Sequence, residues 1–222
     1  MNMARSQSER HEACVDFYLF AKSIVLGEGF GHEVSWQDGR HFGEVTETVF
    51  LGEAAWVVLS SGMRETVVRN KFTSLSAAFN NWASARDILE HTGLYRRNAF
   101  RVFGHARKID SIIQIATEVD RRGFECFKEK ILEEGVSFLQ SLPYIGPATS
   151  YHLAKNLGLD VVKPDRHLLR IAALLGYDNP ADFCKAISTS VGDRVSVVDV
   201  VVWRYATLNP GYKDFLARCF VV

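Results

Sequence analysis

Hydrophobic positions recur every three or four residues along most of the chain, while glycine and proline are confined to the junctions between such stretches. This spacing puts apolar side chains on one face of a helix and predicts an all-α fold. The clearest predicted helices cover 12–26, 48–61, 64–79, 106–121, 127–140, 147–157, 166–175 and 197–208. The stretch 27–43 holds five glycines around Trp36 and is the longest predicted loop, which makes it either a candidate for function or a connection pinned by one buried tryptophan.

Composition leaves room for one domain or two small lobes, since 47% of the 222 residues are hydrophobic. The 26 basic and 26 acidic residues balance, which argues against a nucleic-acid partner, but residues 61–110 hold nine Lys or Arg and only four Asp or Glu. The longest apolar run, 195–203, is interrupted by Asp199, and the N-terminus is charged. We therefore expect a cytoplasmic protein with no membrane span and no signal peptide.

The cysteines and histidines indicate no metal site. Cys14, Cys126, Cys184 and Cys219 lie far apart, and the seven histidines form no ligand pair at helical spacing near a carboxylate. We expect reduced, mostly buried cysteines and no bound metal.

The segment 142–150 predicts two helices joined by a tight turn. Pro143 cannot continue the preceding helix, Gly146 allows the turn, and Pro147 suits the first position of the next helix. The N-terminus of that helix offers unpaired amides and the positive end of the helix dipole, and Thr149 or Ser150 can add a hydroxyl donor. A phosphate group fits these features.

Asp165 follows Lys163 and Pro164 at the predicted start of the next helix. Aspartate at such a position usually caps the helix, which contributes about 1 kcal/mol. The hairpin about twenty residues upstream favours a catalytic role instead.

The combination of Leu142, Pro143, Ile145, Gly146 and Asp165 resembles the signature of the helix-hairpin-helix DNA glycosylases. Weaker likenesses lie at 58–61, before that family's DNA-inserting loop, and at 106–113, where relatives have a helix beginning Lys-Ala-x-x-Ile. The resemblance covers residues 50–175, most strongly 142–171. It implies two helical lobes, 45–162 and 1–44 with 163–222, with a base-binding cleft between them.

The resemblance also implies a mechanism, in which Asp165 stabilises an oxocarbenium-like sugar and orients or deprotonates water. Relatives that also break the strand carry a lysine two residues after the hairpin glycine, and Ala148 stands there in this chain. We therefore expect a monofunctional DNA glycosylase that flips a modified or damaged base and leaves an abasic site. Only two cysteines follow Asp165, so no iron–sulfur cluster is expected. No other cofactor is expected, with a monovalent cation at the hairpin left open.

Double-stranded DNA, bound by a monomer, is the partner that the resemblance implies. In relatives a glutamine after the serine of the inserting loop fills the gap left by the flipped base. Here Met63 or Arg64 is the candidate, although methionine at this spacing is more often core. The predicted DNA contacts are Tyr144, Ile145, Gly146, Ala148, Thr149, Ser150, Lys163, Arg166, Arg96, Arg97 and Arg101. The predicted base pocket or inserting loop comprises Trp36, Gln37, Ser61, Gly62, Met63, Arg64 and Glu65. Trp203 and Tyr205 are weaker pocket candidates, and a core position is preferred for Trp203.

Three alternatives stay open. The basic stretch 95–108 can be a solvated helix face instead of a DNA contact. The chain can be a non-catalytic DNA-binding module in which Asp165 only caps a helix, or an enzyme of modified-base synthesis on the same scaffold. The base itself is not defined, although the weak match outside the motif, the neutral charge and the long loop suggest a phage-modified pyrimidine. An example of such a base is glucosylated hydroxymethylcytosine, which would be removed from phage DNA in antiphage defence.

Overall fold

The computed structural model describes residues 7–220, which form fourteen α-helices and no strand. The all-α fold predicted from the spacing of apolar residues is confirmed. The described residues divide into two compact units, one made of the residues up to Arg40 and from Asp160 onward, the other of His41–Leu159. The boundaries of the two lobes expected from the sequence lie between residues 44 and 45 and between residues 162 and 163.

The first unit combines helices from both ends of the chain. Its core is built around α13, which packs against α1, α2, α11 and α12, while α14 packs against α11. Cys14 and Cys184 are buried in this core, whereas Cys126 in the other unit is exposed. The expectation of mostly buried cysteines therefore holds for two of the four. The helices are α1 (Gln7–Gly27), α2 (Gly31–Asp38), α11 (Arg166–Leu174), α12 (Pro180–Val191), α13 (Val195–Leu208) and α14 (Tyr212–Phe220).

The second unit is organised around α3, which is apolar on most of its surface and packs against three other helices of the unit, α4, α7 and α10. A helix that is hydrophobic nearly all round needs neighbours on several sides. The helices are α3 (Glu47–Ser60), α4 (Glu65–Ala78), α5 (Ala85–Glu90), α6 (Thr92–Phe103), α7 (Ala106–Arg122), α8 (Phe124–Glu134), α9 (Val136–Gln140) and α10 (Pro147–Asn156).

Two sequence-based expectations are wrong. The predicted loop 27–43 contains helix α2, whose Val34 and Gln37 are buried and which packs against α13. The predicted single helix 127–140 is two helices, because Gly135 between them takes φ 58° and ψ −131°, outside the helical region. Helices α5, α6, α12 and α14 were likewise not predicted from the sequence.

Candidate functional site

The hairpin between α9 and α10 is closed by a tight turn, in which the N–H of Ile145 donates to the carbonyl of Leu142 (3.1 Å). Both side chains are buried and anchor the turn in the core of its unit. Tyr144 has φ 67°, whereas Gly146 is extended at φ −97°. Proline second and a left-handed residue third is the pattern of a type II turn. The expected glycine-centred turn is therefore wrong in detail, since its left-handed residue is Tyr144.

The first turn of α10 has some of its polar groups occupied. The N–H of Gly146 donates to Thr149 Oγ1 (2.7 Å), and that hydroxyl donates to the carbonyl of Gly146 (3.1 Å). Pro147 has no N–H. Within the described residues, the amides of Ala148 and Thr149 have no acceptor, so two donors at this helix end are available to an anion.

Two predicted hairpin contacts need correction. Ser150 is fully buried, and its hydroxyl donates to the carbonyl of Pro147 (2.9 Å), so the prediction that it contacts DNA is wrong. Ile145 has its side chain in the core and its N–H in the turn, which leaves only its carbonyl oxygen for a partner. Tyr144 remains partly exposed, at 37%.

The segment expected to insert into DNA leaves α3 at Ser61 and enters α4 at Glu65. Gly62 takes φ 68°, which favours glycine, and Met63 and Arg64 are exposed. Met63 is 38% exposed, so the core alternative for this methionine is wrong. Glu65 forms an ion pair with Arg69 on the surface of α4. The loop thus presents one flexible apolar side chain and one cation next to each other.

Lys108, at the start of α7, connects this loop to the hairpin. Its side chain is 1% exposed, and its Nζ donates to the carbonyl oxygens of Leu59 (2.5 Å) and Ser61 (2.6 Å). The same Nζ lies 6.0 Å from the centre of the Phe103 ring and 5.6 Å from that of Tyr144. Burial lowers the pKa of this ammonium below its usual value. Lys108 therefore cannot track a DNA backbone as the basic stretch 95–108 suggested.

The three arginines predicted as DNA contacts on α6 differ in availability. Arg96 forms a two-bond ion pair with Asp110 (2.6 and 3.1 Å), which holds the pKa of that carboxyl below its usual range. Arg97 and Arg101 are exposed and have no acidic partner among the described residues. His105, just after α6, makes an edge contact with the Tyr144 ring, so this end of the basic helix lies beside the hairpin.

In the first unit, Asp165 caps helix α11. Its Oδ1 accepts the N–H groups of His167 (2.8 Å) and Leu168 (2.9 Å). No hydrogen bond within the described residues reaches Oδ2, and the side chain is half-buried. Asp165 therefore does cap helix α11, and its second carboxylate oxygen remains available for chemistry.

The chain before Asp165 is tied to α13 by two aspartates that sequence reasoning did not assign to the site. Asp160 accepts the amides of Val195 (3.3 Å) and Ser196 (2.8 Å) at the start of α13. Asp199, 2% exposed, accepts the N–H of Lys163 (2.6 Å). The signal for Asp199 was available, because an acid inside an apolar helical run needs a buried partner.

Two predicted DNA contacts close to Asp165 in the chain, Lys163 and Arg166, differ in accessibility. Arg166 is exposed, with its Nε 3.3 Å from His167 Nε2, and His167 Nδ1 lies 3.2 Å from the Tyr212 hydroxyl. Lys163 is half-buried and has its main-chain N–H bound by Asp199. Arg166 is thus the more accessible cation beside the carboxylate.

The pocket candidates of the first unit gain little support. Gln37 is 1% exposed, so the prediction that it lines an open pocket is wrong. Trp36 is exposed and stacks with Arg40 at 4.8 Å. Trp203 is half-buried against the core, as preferred, and Tyr205 lies in the core.

An open cavity of about 890 Å³ in the first unit is lined by Arg10, His11, Tyr177 and Asp178, among others. It lies near Gly176, past the C-terminal end of α11, whereas Asp165 caps the opposite end. Across the described part of the chain, no three acidic, histidine or cysteine side chains are placed to hold a metal ion. No helix of residues 7–220 combines the length and apolarity needed to cross a membrane.

Comparisons of the chain with models of protein families, with curated proteins and with solved structures found no match.

Proposed function

We propose that the protein is a monofunctional DNA glycosylase that removes a modified or damaged base from double-stranded DNA. The observation that carries the proposal is the state of Asp165 after a Leu-Pro-Tyr-Ile-Gly hairpin. Two backbone amides hold Oδ1, while Oδ2 has no hydrogen bond among the described residues. A carboxylate fixed on one side and open on the other suits electrostatic catalysis.

The chemistry assigned to Asp165 is stabilisation of positive charge. When the bond between sugar and base breaks, the sugar takes on oxocarbenium character, and a carboxylate beside its anomeric carbon lowers the barrier. The same oxygen orients or deprotonates the attacking water. Ala148 is exposed where strand-cutting relatives carry a lysine, so no covalent Schiff base with the sugar is formed at this position.

DNA binding is assigned to the second unit. The free amides of Ala148 and Thr149 hold a phosphate without reading sequence, and Arg97 and Arg101 add charge to the same strand or its neighbour. Met63 is proposed to enter the stack where the target base leaves it, since an exposed apolar side chain can replace lost stacking contacts.

The identity of the base stays a prediction. A phage-modified pyrimidine such as glucosylated hydroxymethylcytosine was supported in part by a long glycine-rich loop, and that support is removed because Gly31–Asp38 is helical. The weak match outside the motif and the neutral net charge remain in its favour.

The test is incubation with duplexes that carry unmodified, alkylated, deaminated, oxidised or phage-modified bases, followed by hot alkali to cut abasic sites. Asp165→Asn keeps the cap, because asparagine caps as well as aspartate. It should lower the excision rate on the order of a hundredfold or more. Asp182→Asn is the control, since Asp182 is exposed in the first turn of α12 in the same unit and should keep near-full activity.

A second candidate is a non-catalytic DNA-binding module, which the observed capping bonds of Asp165 favour. It predicts no abasic site from any duplex and equal DNA affinity for the wild type and Asp165→Asn. An enzyme of modified-base synthesis would change the base and likewise leave the strand resistant to alkali. Cleavage that disappears in Asp165→Asn but not in Asp182→Asn would contradict both.

A further inference from the structure

Lys108 is 1% exposed and lies between the 61–64 loop and the 142–146 hairpin of the second unit. Its ammonium donates to two carbonyl oxygens at the C-terminal end of α3, those of Leu59 and Ser61. Carbonyls of a last helical turn lack intrahelical partners and carry the negative end of the helix dipole. A lysine at this place therefore determines where α3 stops and in which direction the 61–64 loop leaves it.

The third side of the same ammonium faces aromatic rings. Nζ lies 5.6 Å from the centre of the Tyr144 ring, within the range of a cation–π interaction. Tyr144 holds a left-handed backbone conformation that disfavours residues with a Cβ, so its place in the turn needs compensating contacts. The ammonium supplies one such contact, and the edge of the His105 ring supplies another.

We infer that Lys108 is a positioning residue that fixes the 61–64 loop and the 142–146 hairpin in one relative orientation, so that the protein can extrude a base from a paired duplex. The inference deepens the proposed function and rests on it. In the proposed function the hairpin holds a phosphate while Met63 enters the stack, and both actions on one duplex require a constant spacing between the two loops. A base that is already unpaired needs no such wedge, because its unstacking cost is already met.

Lys108→Met tests the inference, because methionine fills similar volume without donors or charge. Lys128→Met is the matched control. Lys128 Nζ also donates to two carbonyls, those of Gly43 (2.7 Å) and Val45 (3.1 Å), and lies 5.9 Å from the centre of the Phe42 ring, on the chain that enters α3. Each variant removes an ammonium that donates to two carbonyls of the same unit, buried in Lys108 and half-buried in Lys128, but only Lys108 contacts the loop and the hairpin.

The first readout needs no substrate. Amide hydrogen exchange of residues 60–64 should accelerate by about a hundredfold or more in Lys108→Met, as expected for two lost hydrogen bonds from a charged donor, and should be unchanged in Lys128→Met. The second readout is the single-turnover excision rate for one target base, placed either in a paired duplex or in a single strand. Lys108→Met should lose about tenfold or more on the paired target and less than about threefold on the unpaired one.

A loss of equal size on both targets, or unchanged exchange at 60–64, would overturn the inference, since a merely structural lysine affects all substrates alike. Absence of excision by the wild type would refute the proposed function instead. In that case the amide hydrogen exchange data, together with the affinity for duplexes with and without an unpaired base, still test whether Lys108 couples the loop to the hairpin.

If Lys108→Met does not fold, Tyr144→Gly is the second variant, because glycine accepts the left-handed turn and removes only the ring. It should show the same selective loss on the paired target.

Discussion

Replacement of Asp199 by leucine should destabilise the first unit and lower activity, although Asp199 is not placed at the reacting atoms. The carboxylate is 2% exposed in the middle of α13 and accepts the N–H of Lys163 at 2.6 Å. Lys163 lies two residues before Asp165, so this bond holds the backbone from which the proposed catalytic side chain projects.

The magnitude follows from the type of bond. A hydrogen bond to a charged group contributes about 1.5–3 kcal/mol, and leucine also leaves the Lys163 amide without its acceptor. We expect a loss of about 2–3 kcal/mol for Asp199→Leu and of about 1 kcal/mol for Asp199→Asn, because the asparagine carbonyl can still accept. For a chain of this size, 2–3 kcal/mol corresponds to a melting temperature lower by roughly 4–12 °C.

Thermal unfolding followed by circular dichroism measures the effect. Asp16→Leu is the control, since Asp16 is exposed in the middle of α1 and its replacement should shift stability by less than about 0.5 kcal/mol. Excision by Asp199→Asn should show a lower single-turnover rate with unchanged DNA affinity. If Asp199→Leu melts within the range of the Asp16 control, the bond to Lys163 does not hold this segment and the reasoning is refuted.

Three further predictions concern stability. Gly176→Ala and Gly192→Ala place a Cβ on residues with φ 83° and 80°, so each should lower the free energy of unfolding in denaturant by about 1–2 kcal/mol. At Gly176 the Cβ would also approach the end of the flexible Arg10 side chain, which can move away. A much larger loss of stability at Gly176 would contradict this. Burial lowers the pKa of Lys108 in the folded protein. At pH values between that lowered pKa and the usual pKa of about 10.4, the unfolded chain therefore binds more protons than the folded chain. The stability of the wild type relative to Lys108→Met should therefore rise with pH across that window, and a flat or falling difference in a pH series of unfolding curves would argue against it. Thr149→Val should lower stability by about 1 kcal/mol in thermal unfolding while Thr149→Ser keeps most of it, and equal losses would show that the hydroxyl is not the cause.

Local features of the site were predictable from the sequence because they depend on residues within four positions of each other. Apolar spacing identifies α3, α7 and α10, and Pro147 marks the first residue of α10. The cap formed by Asp165 reaches only two and three residues ahead. The all-α class and the order of hairpin, helix and acid follow from such short-range rules.

Features that depend on distant residues could not be predicted in the same way. Helix α2 has eight residues, too few to be stable alone, and it packs against α13 far along the chain. Glycines suggested a loop there because propensity describes an isolated segment, whereas burial of Val34 depends on a partner more than 150 positions away. Tyr144 takes the left-handed position for a similar reason, since its ring is held by side chains from another helix.

The sequence by itself determined the all-α class, most of the longer helices, the presence of a turn before α10 and the cap at Asp165. Tertiary structure alone decided that Lys108 is an internal link and not a DNA contact, since its acceptors lie 49 and 47 positions away. It also decided that Asp199 anchors Lys163 across 36 positions. The physical reason is the same in both cases: a buried charge is stable only with specific partners, and packing brings those partners together from distant parts of the chain.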